Sequence, residues 1–370
     1  MKPQILMKMM ALIFTVITTT ANAADFCATN SINLATALKA AENNNEADTI
    51  RIKKGTYLTL PGGFEYSTDQ DDDIEISGGW VSLLNDPCNF QLPNSPSETI
   101  LDGNSQNRVM YISVNTGDTK IKISGLSFIN GEGNTGSDGS GLTISATQLS
   151  SNAEVILDNN EFINNSNESK SALNLITSAG KTLIRNNLFA YNNSDLSSNV
   201  EIRTVGSSPK LYLINNTIFG NSGRGASIIH QNDSSQTLIA NNIFWDNDFS
   251  DLFLLGEGSR FLRRNNIGIQ TGGPADEQFG NISEPPHFEA GSMNFKPAYY
   301  SAMVGGGINP PIMIVPPIPF EWDWDITEFD LEGNDRWQGK VIDIGAIESN
   351  HSFQQTEFPI FATGFEQKAK

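Results

Sequence analysis

The sequence predicts an all-β fold: a right-handed parallel β-helix, forming a single elongated domain with a short N-terminal capping helix. A short pattern recurs every 22 to 34 residues, an interval typical of repeat proteins. Between the copies lie short runs of β-branched and aromatic residues, separated by Asn, Ser and Gly clusters. Such an interval holds three short strands and three turns. One coil of this kind buries its apolar face only by stacking on the next.

Each copy of the pattern is an aliphatic residue, then any residue, then Gly or Asn. The third positions are Gly78, Gly103, Gly125, Asn159, Asn186, Asn215, Asn241 and, in a degraded copy, Asn265. Gly and Asn adopt positive φ more readily than other residues, so the third position is expected to form a sharp turn between strands. We expect the stacked side chains of Asn159, Asn186, Asn215, Asn241 and Asn265 to form a hydrogen-bonded ladder.

Two apolar positions accompany each turn. The aliphatic residue two positions before the turn is expected to face the interior in every coil. A second large apolar residue follows three positions after most turns, at Phe128, Phe162, Phe189, Ile218 and Phe244. We expect both positions to form continuous stacks inside the solenoid.

These repeats resemble those of the secreted right-handed parallel β-helix proteins, the broad group that shares the pectate-lyase architecture. The resemblance covers roughly residues 45–350. A second match is Asp343-Ile-Gly-Ala-Ile-Glu348, preceded by Asp330, Gly333 and Arg336. In bacterial members of the group this motif commonly closes the helix, with an aromatic residue where this chain has Ile347. The resemblance implies an architecture and a bacterial source, and it implies no particular activity.

The chain divides by composition into five parts. Residues 1–23 form a predicted signal peptide, with Lys2 and Lys8 before an apolar run and Ala21-Asn-Ala23 as the cleavage site. Residues 24–48 are the N-terminal cap, 49–295 the β-helix, 296–350 a C-terminal coil or cap, and 351–370 a polar tail. The apolar run is too short to span a membrane. We therefore expect a secreted, periplasmic or cell-surface protein, monomeric and without a membrane span.

The 370-residue chain is strongly acidic, with a formal net charge of −19. That charge repels nucleic acid, so no nucleic-acid partner is expected. It also repels polyanionic substrates unless a bound cation bridges them. The simpler interpretation is that an acidic surface keeps an exported β protein soluble.

The N-terminal cap carries two local predictions. Residues 35–41 form a short amphipathic helix with Asn33 as its N-cap. In the resembling group such a helix covers the open end of the core. The chain has two cysteines, Cys27 and Cys88, and neither belongs to a metal-binding pattern. An even pair in an exported chain favours a disulfide.

Two further segments admit alternative interpretations. Residues 131–141 are a Gly-rich insertion, and insertions in solenoids often lie on the binding face. Trp322, Trp324 and Trp337 could stack on sugar rings or plug the end of the core, and we favour the plug.

The candidate metal site is a run of alternating aspartates. Asp69, Asp71 and Asp73 could offer carboxylate oxygens to Ca²⁺. Ile74 stands where an EF-hand loop has Gly, which favours a solvated acidic turn. No cofactor is therefore expected, with Ca²⁺ as the alternative.

The candidate catalytic residues lie late in the repeats. Asp246, Asp248 and Asp251 follow one turn, and Arg263 and Arg264 belong to the next coil. Arg224 and His230 precede them by one coil. Stacking could bring acids and bases together for a lyase or glycoside hydrolase reaction. Solvated charges at turns are the alternative interpretation, and we favour it.

Three functions follow from these observations. The first is a protein that binds polysaccharide or another surface ligand along its flank, without a recognisable catalytic motif. The second is a divergent polysaccharide lyase or glycoside hydrolase, which rests on analogy of fold. The third is an adhesin or structural surface protein. Whether the chain is an enzyme stays open at this stage.

Overall fold

The computed structural model describes residues 23–83, 86–91, 95–133, 139–291, 293–309, 324 and 326–350. The predicted signal peptide up to residue 22, residues 310–323 with Trp322, and the polar tail from residue 351 lie outside them. The described chain is a stack of short parallel strands in three sheets, which confirms the predicted β-helix.

Strand β1 (Ala24–Ala28) and helix α1 (Ser31–Ala41) precede the coils. The first four coils contain, in order, β2 (Asp48–Lys53), β3 (Gly55–Leu58) and β4 (Phe64–Thr68); β5 (Ile74–Leu83), β6 (Asp86–Gln91), the 3-10 turn Pro96–Glu98, β7 (Thr99–Asp102) and β8 (Met110–Val114); β9 (Lys120–Ser124), β10 (Ser127–Ile129) and β11 (Leu142–Ala146); β12 (Glu154–Asp158), β13 (Glu161–Ile163), β14 (Ser166–Asn167) and β15 (Lys170–Thr177).

The last four coils contain, in order, β16 (Lys181–Arg185), β17 (Leu188–Ala190) and β18 (Asn193–Thr204); β19 (Lys210–Ile214), β20 (Thr217–Phe219) and β21 (Ser222–His230); β22 (Gln236–Ala240), β23 (Ile243–Trp245) and β24 (Ser250–Gly256); β25 (Ser259–Arg263), β26 (Asn266–Ile267) and β27 (Gln270–Gly272). Strand β28 (Glu277–Phe279) follows the last coil.

Each coil contributes one strand to each sheet. Sheet A runs β1-β2-β5-β9-β12-β16-β19-β22-β25-β28, and β6 pairs antiparallel with β5 at its side. Sheet B runs β3-β7-β10-β13-β17-β20-β23-β26 and consists mainly of three- and four-residue strands. Sheet C runs β4-β8-β11-β15-β18-β21-β24-β27, with β14 beside β18. Side chains alternate between the interior and the outer face of each sheet.

The N-terminal region matches its prediction with one change. Helix α1 begins at Ser31, and its N-cap is Asn30, whose side chain accepts a bond from the backbone N–H of Asn33. Leu34 and Leu38 pack into the core. The predicted disulfide is confirmed: Cys27 in β1 is bonded to Cys88 in β6. Strand β6 lies outside the regular path of coil 2, between β5 and β7, and we call this part of the chain the coil-2 excursion. The disulfide ties the first strand to it.

The predicted interior stacks are confirmed. Phe128, Phe162, Phe189, Ile218 and Phe244 are fully buried and in register on sheet B. The Phe128 and Phe162 rings stack at 4.8 Å, and the Phe162 and Phe189 rings at 4.6 Å. This spacing equals that of neighbouring strands, so identical side chains in register must lie face to face.

One copy of the repeat is out of phase with the others. Leu101 pairs with Phe128 on sheet B, whereas Ile76 pairs directly with Ile123 on sheet A. The copy ending at Gly103 therefore belongs to the same coil as the copy ending at Gly78. The two intervals from Gly78 to Gly103 and from Gly103 to Gly125 therefore make up one long coil, and the chain through β6 accounts for its extra length.

The asparagine ladder differs from the prediction. The sequence assigned both the positive-φ turn and the hydrogen-bonded ladder to one asparagine per coil, but the structure divides these two roles between adjacent residues. Asn159, Asn186, Asn215 and Asn241 adopt positive φ of 52–59° and face outward. The ladder is formed by the next residue in each coil. Its members are Asn160, Asn187, Asn216, Asn242, Asn265 and Asn281. Asn265 is thus a ladder residue, and Arg264, with φ of 52°, takes the turn position before it.

Each ladder asparagine satisfies backbone groups at a buried turn. Oδ1 of Asn187 accepts bonds from the backbone N–H of Asn160 at 2.9 Å and from its Nδ2 at 3.1 Å. Nδ2 of Asn187 donates to the carbonyl oxygens of Leu157 at 3.0 Å and Arg185 at 2.7 Å. Only a primary amide offers both an acceptor and two donors at this length, which explains why Asn recurs.

A second ladder lies at the following turn, between sheets B and C. Its members are Asn165, Asn192, Asn221, Asn247 and, at the end, Asp251. Each lies five residues after a member of the first ladder, except Asp251.

The C-terminal segment packs along the flank of the solenoid. The resemblance implied that the motif around Gly345 closes the helix. Here it lies on the A–B turns of coils 5–7, where Nδ2 of Asn215 donates to the carbonyl oxygens of Asp343 and Gly345, each at 3.2 Å. The backbone N–H of Gly345 donates to the Asn241 carbonyl at 2.8 Å. The outward-facing asparagines are therefore the docking row for this segment.

A buried ion pair holds the segment together. Arg336 is 0% exposed and bonds to Glu348 at 2.8 Å and to Oδ1 of Asn186 at 2.6 Å. Oδ2 of Asp330 accepts a bond from the Glu348 backbone N–H at 2.9 Å. Trp324 packs, fully buried, with Tyr212 and Leu238 on the outer face of sheet A. It covers the side of the solenoid and so neither plugs the end nor faces a ligand.

The ladder predicts a specific loss of stability. Replacing Asn216 with Ala removes the donor to the carbonyl oxygen of Ile184 and the acceptor of the Asn187 backbone N–H, both buried in the turn. We expect the free energy of unfolding to fall by about 3 kcal/mol, measured by denaturant titration, because each unsatisfied buried group costs about 1–3 kcal/mol. Asn152→Ala, at an exposed turn, is the control and should change stability by less than about 0.5 kcal/mol. Equal losses in the two variants would contradict the ladder's role.

Candidate functional site

The structure separates the candidate catalytic residues. Asp246 and Asp248 are exposed in the turn after β23, and Oδ2 of Asp248 accepts a bond from the Ser222 hydroxyl at 2.9 Å. Asp251 is the second residue of β24, on sheet C. Arg263 lies on sheet A, is 0% exposed, and pairs with Glu277 at 2.7 Å. Asp246 and Asp248 share one turn, but Arg263 lies on a different sheet with its own carboxylate partner, so the acids and this arginine do not form one reaction centre.

Asp251 is the terminal member of the second ladder. Its Oδ1 accepts bonds from the backbone N–H and Nδ2 of Asn247 at 3.0 and 2.7 Å, and its Oδ2 accepts the Ile269 N–H at 2.7 Å. Burial raises the pKa of this carboxyl, and its hydrogen bonds oppose that shift. The residue satisfies backbone groups at the last turn, which is a structural role.

The neighbouring basic residues also point in different directions. His230 faces the interior and lies between the hydroxyls of Thr204 and Thr237, each 2.7 Å from a ring nitrogen. Arg264 lies over the ring of Phe279 at 5.7 Å. Arg224 faces outward from sheet C, with its guanidinium 4.6 Å from the Phe253 ring centroid.

The three aspartates proposed for Ca²⁺ bind the next coil instead. Oδ1 of Asp71 accepts the Asp118 N–H at 2.6 Å, and Oδ1 of Asp73 accepts the Lys120 N–H at 2.7 Å. Oδ1 of Asp69 accepts a bond from Nδ2 of Asn115 at 3.0 Å. Across the described residues, no group of three or more His, Cys, Asp or Glu side chains is arranged to hold a metal ion.

The outer face of sheet C carries charged and aromatic side chains that, apart from Arg224, were not among the residues predicted from the sequence. One outward row joins Tyr111, Thr143, Asn174, Glu201, Ser227 and Phe253 across coils 2–7. At about 4.8 Å per strand the row is roughly 24 Å long. The guanidinium of Arg108 lies 4.4 Å from the Tyr111 ring centroid at one end, and Arg224 covers Phe253 at the other.

A compact charge group lies near the centre of this face. The Glu201 carboxylate, only 4% exposed, pairs with Lys170 at 2.9 Å and with Arg203 at 3.2 Å. The Arg203 side chain keeps 33% of its surface exposed. A guanidinium has five N–H donors, so Arg203 can hold Glu201 and still donate to a ligand. Arg108 and Arg224 add two cations to this face, which also carries the exposed Glu65 in register with Tyr111.

The Gly-rich insertion borders the same face. The backbone N–H of Gly139 donates to the Thr143 hydroxyl at 2.8 Å, and an added Cβ at Gly139 would lie 3.2 Å from that of Asn174. The described end of the insertion therefore lies against sheet C in coils 3 and 4. Residues 134–138 of the insertion lie outside the described residues.

The period of two in the strands is the signal that locates this face. In β18, Val200 and Ile202 point inward, so Glu201 and Arg203 must point outward. The sequence contains this alternation. Which coils place their charges side by side depends on register, which spacing alone does not give.

No family model, no curated protein and no solved structure matches this chain. Within the part of the chain that the structure describes, no helix has the length and apolar character needed to cross a membrane.

The buried histidine predicts a dependence of stability on pH. Burial lowers the pKa of His230 to about 4, with a smaller contribution from Arg260. The unfolded chain takes up a proton near pH 6.5 and the folded chain does not, so stability is complete above pH 6.5 and falls as the pH drops toward 4. Between pH 6.5 and 5 this residue should cost about 2 kcal/mol.

Denaturant titrations at the two pH values measure this loss. His230→Gln should remove it, and the exposed His287→Gln should leave it in place. An unchanged pH dependence in His230→Gln would contradict the assignment.

Proposed function

We propose that this chain is an exported binding protein that holds an anionic polysaccharide along the outer face of sheet C. The observation that carries the proposal is the set of arginine and aromatic side chains on this face of a strongly acidic protein: Arg108 with Tyr111 on coil 2, Arg203 on coil 5, and Arg224 with Phe253 on coils 6 and 7. A linear ligand parallel to the solenoid axis would contact successive coils. Its carboxylates would pair with Arg203 and Arg224, and its sugar rings would lie near Tyr111 and Phe253.

Export is part of the proposal. The signal-peptide pattern before residue 24 predicts it, and the Cys27–Cys88 disulfide supports it because disulfides persist in oxidising compartments. The repeats and the segment Asp343 to Glu348 resemble those of secreted bacterial proteins with pectate-lyase architecture. We propose membership of that architectural group and a secreted, periplasmic or cell-surface location.

Binding is favoured over catalysis by the disposition of the charges. A lyase or hydrolase needs a base or acid held near the reacting bond. Asp246, Asp248, Asp251 and Arg263 are dispersed, and on sheet C the buried carboxylate Glu201 is already neutralised by two cations. We therefore propose that Arg203 and Arg224 recognise the charge of the polymer and that the protein binds it without cleaving it.

The binding proposal predicts the effect of two substitutions. We expect the protein to be retained by polygalacturonate or alginate in affinity electrophoresis, and less so as salt rises, because exposed charges are screened. Arg203→Ala and Arg224→Ala should each weaken retention roughly 5- to 10-fold, the effect of losing one charge-assisted contact of about 1–1.5 kcal/mol.

The matched control is Arg51→Ala. Arg51 lies over the Trp80 ring at 4.7 Å on sheet A, the same arginine–aromatic geometry on a different face. It should retain wild-type binding. Equal loss in all three variants would indicate a general effect of net charge, and absence of retention on every acidic polymer would refute the proposal.

A further inference from the structure

A cavity of about 460 Å³ lies on the outer face of sheet B, away from the binding face proposed above. Its floor is formed by coils 2–5. One wall is the coil-2 excursion, through Ser95 and Ser97, and the opposite wall is the C-terminal region, through Phe295 and Ile347. Two segments that leave the regular coil therefore enclose this section of sheet B.

The lining combines apolar surface with hydroxyl and amide groups. Ile129 and Ile163 occupy one outward row of sheet B, and Ser127 and Glu161 occupy the row beside it. Asn130 and Asn164, both at positive φ, end the same strands. Apolar patches that alternate with hydrogen-bonding groups fit a sugar ring, which presents C–H faces and a rim of hydroxyls.

The charge in the cavity selects the kind of sugar. Glu161 and Glu332 are its two charged lining residues, and both are acids. Lys296 pairs with Glu332 at 3.4 Å. Glu161 accepts a hydrogen bond from Ser127, and the charge that acts on it is that of Glu332, of the same sign. A carboxyl desolvated in this way gains most from a cationic ligand.

The titration of Glu161 agrees with this geometry. Burial raises its pKa to about 7, and repulsion by Glu332 adds to the shift. The group is therefore largely protonated at pH 6. A cation beside it favours the charged form, so binding would drive the proton off.

We propose that this cavity binds an amino sugar, with the ligand ammonium paired to the Glu161 carboxylate and the ring against Ile129 and Ile163. The site would hold one or two units of a glucosamine-type polymer. It is separate from sheet C, so the protein would recognise two polymers of opposite charge on two faces.

Isothermal titration calorimetry of the full chain with a glucosamine trisaccharide at pH 6 tests the proposal. Glu161→Gln should weaken binding roughly 10-fold or more, since a charge-assisted contact in a partly dry site contributes about 1.5–3 kcal/mol. Glu154→Gln, which removes the same charge from sheet A in the same coil, should bind as the wild type does. The N-acetylated trisaccharide, which has no ammonium, should bind at least 10-fold more weakly.

Proton release separates Glu161 from a merely structural residue. Titration in two buffers of different ionisation enthalpy should show that the wild type releases more protons on binding than Glu161→Gln does. The proposal is overturned if the trisaccharide does not bind, if Glu161→Gln binds it with wild-type affinity, or if the two proteins release the same number of protons. Tighter binding of trilysine than of the trisaccharide would assign the cavity to a basic peptide and overturn the sugar assignment.

Loss of binding to acidic polymers, by contrast, bears on sheet C alone. The two proposals can therefore fail independently. Thermal unfolding of each variant confirms that it is folded, and Glu161→Gln should be at least as stable as the wild type because it removes a desolvated charge.

Discussion

Satisfying the buried backbone at each turn is the constraint on which the whole solenoid depends. Within a strand, parallel pairing satisfies the peptide groups, but each turn removes some of them from the ladder of backbone bonds. The side chains of Asn187 and Asn216 replace the missing partners, and they do so while fully buried. An unpaired buried carbonyl or N–H would destabilise every coil by a similar amount, so the same solution recurs in coil after coil.

The first ladder depends on the residue before it. Asn186, Asn215 and Asn241 adopt positive φ, which turns their side chains outward, and their amides then bind the C-terminal segment. Turn geometry and the docking of the described part of the C-terminal segment are thus parts of one arrangement. The buried Arg336–Glu348 pair anchors it. The two side chains are 0% and 3% exposed, and this burial raises the pKa of Glu348 to about 7 despite the adjacent guanidinium.

The extent of that covering segment decides which surfaces a ligand can reach. It packs on the outer faces of sheets A and B, through Trp324 on one and Ile347 on the other. It ends against coils 3 and 4, where the coil-2 excursion faces it and the cavity with Glu161 forms. The described contacts of this segment are with sheets A and B, and Arg203 and Arg224 lie on the outer face of sheet C. The net acidity of the chain therefore says little about the charge that a ligand meets on this face.

The sequence alone determined the class of fold, the interior stacks and the disulfide. Those features follow from local chemistry repeated at a fixed interval: Phe162 and Phe189 must face inward if their coils stack, and Cys27 has one possible partner. The sequence also located the turn, but the ladder was predicted at Asn159 and lies at Asn160. The two residues are chemically identical, and only their backbone conformations distinguish them.

Tertiary structure alone decided the sites. Glu201 lies 31 residues from Lys170, and Glu161 is far in sequence from Glu332; register and the path of the C-terminal segment bring each pair together. Asp246 and Arg263 are closer in sequence, but the fold places Asp246 in the turn after β23 and Arg263 on sheet A. Repetition specifies how one coil is built, but contacts between coils depend on where the chain inserts or omits residues. In this protein those contacts depend on the coil-2 excursion, the Gly-rich insertion and the C-terminal segment, and none of these segments is part of the repeat.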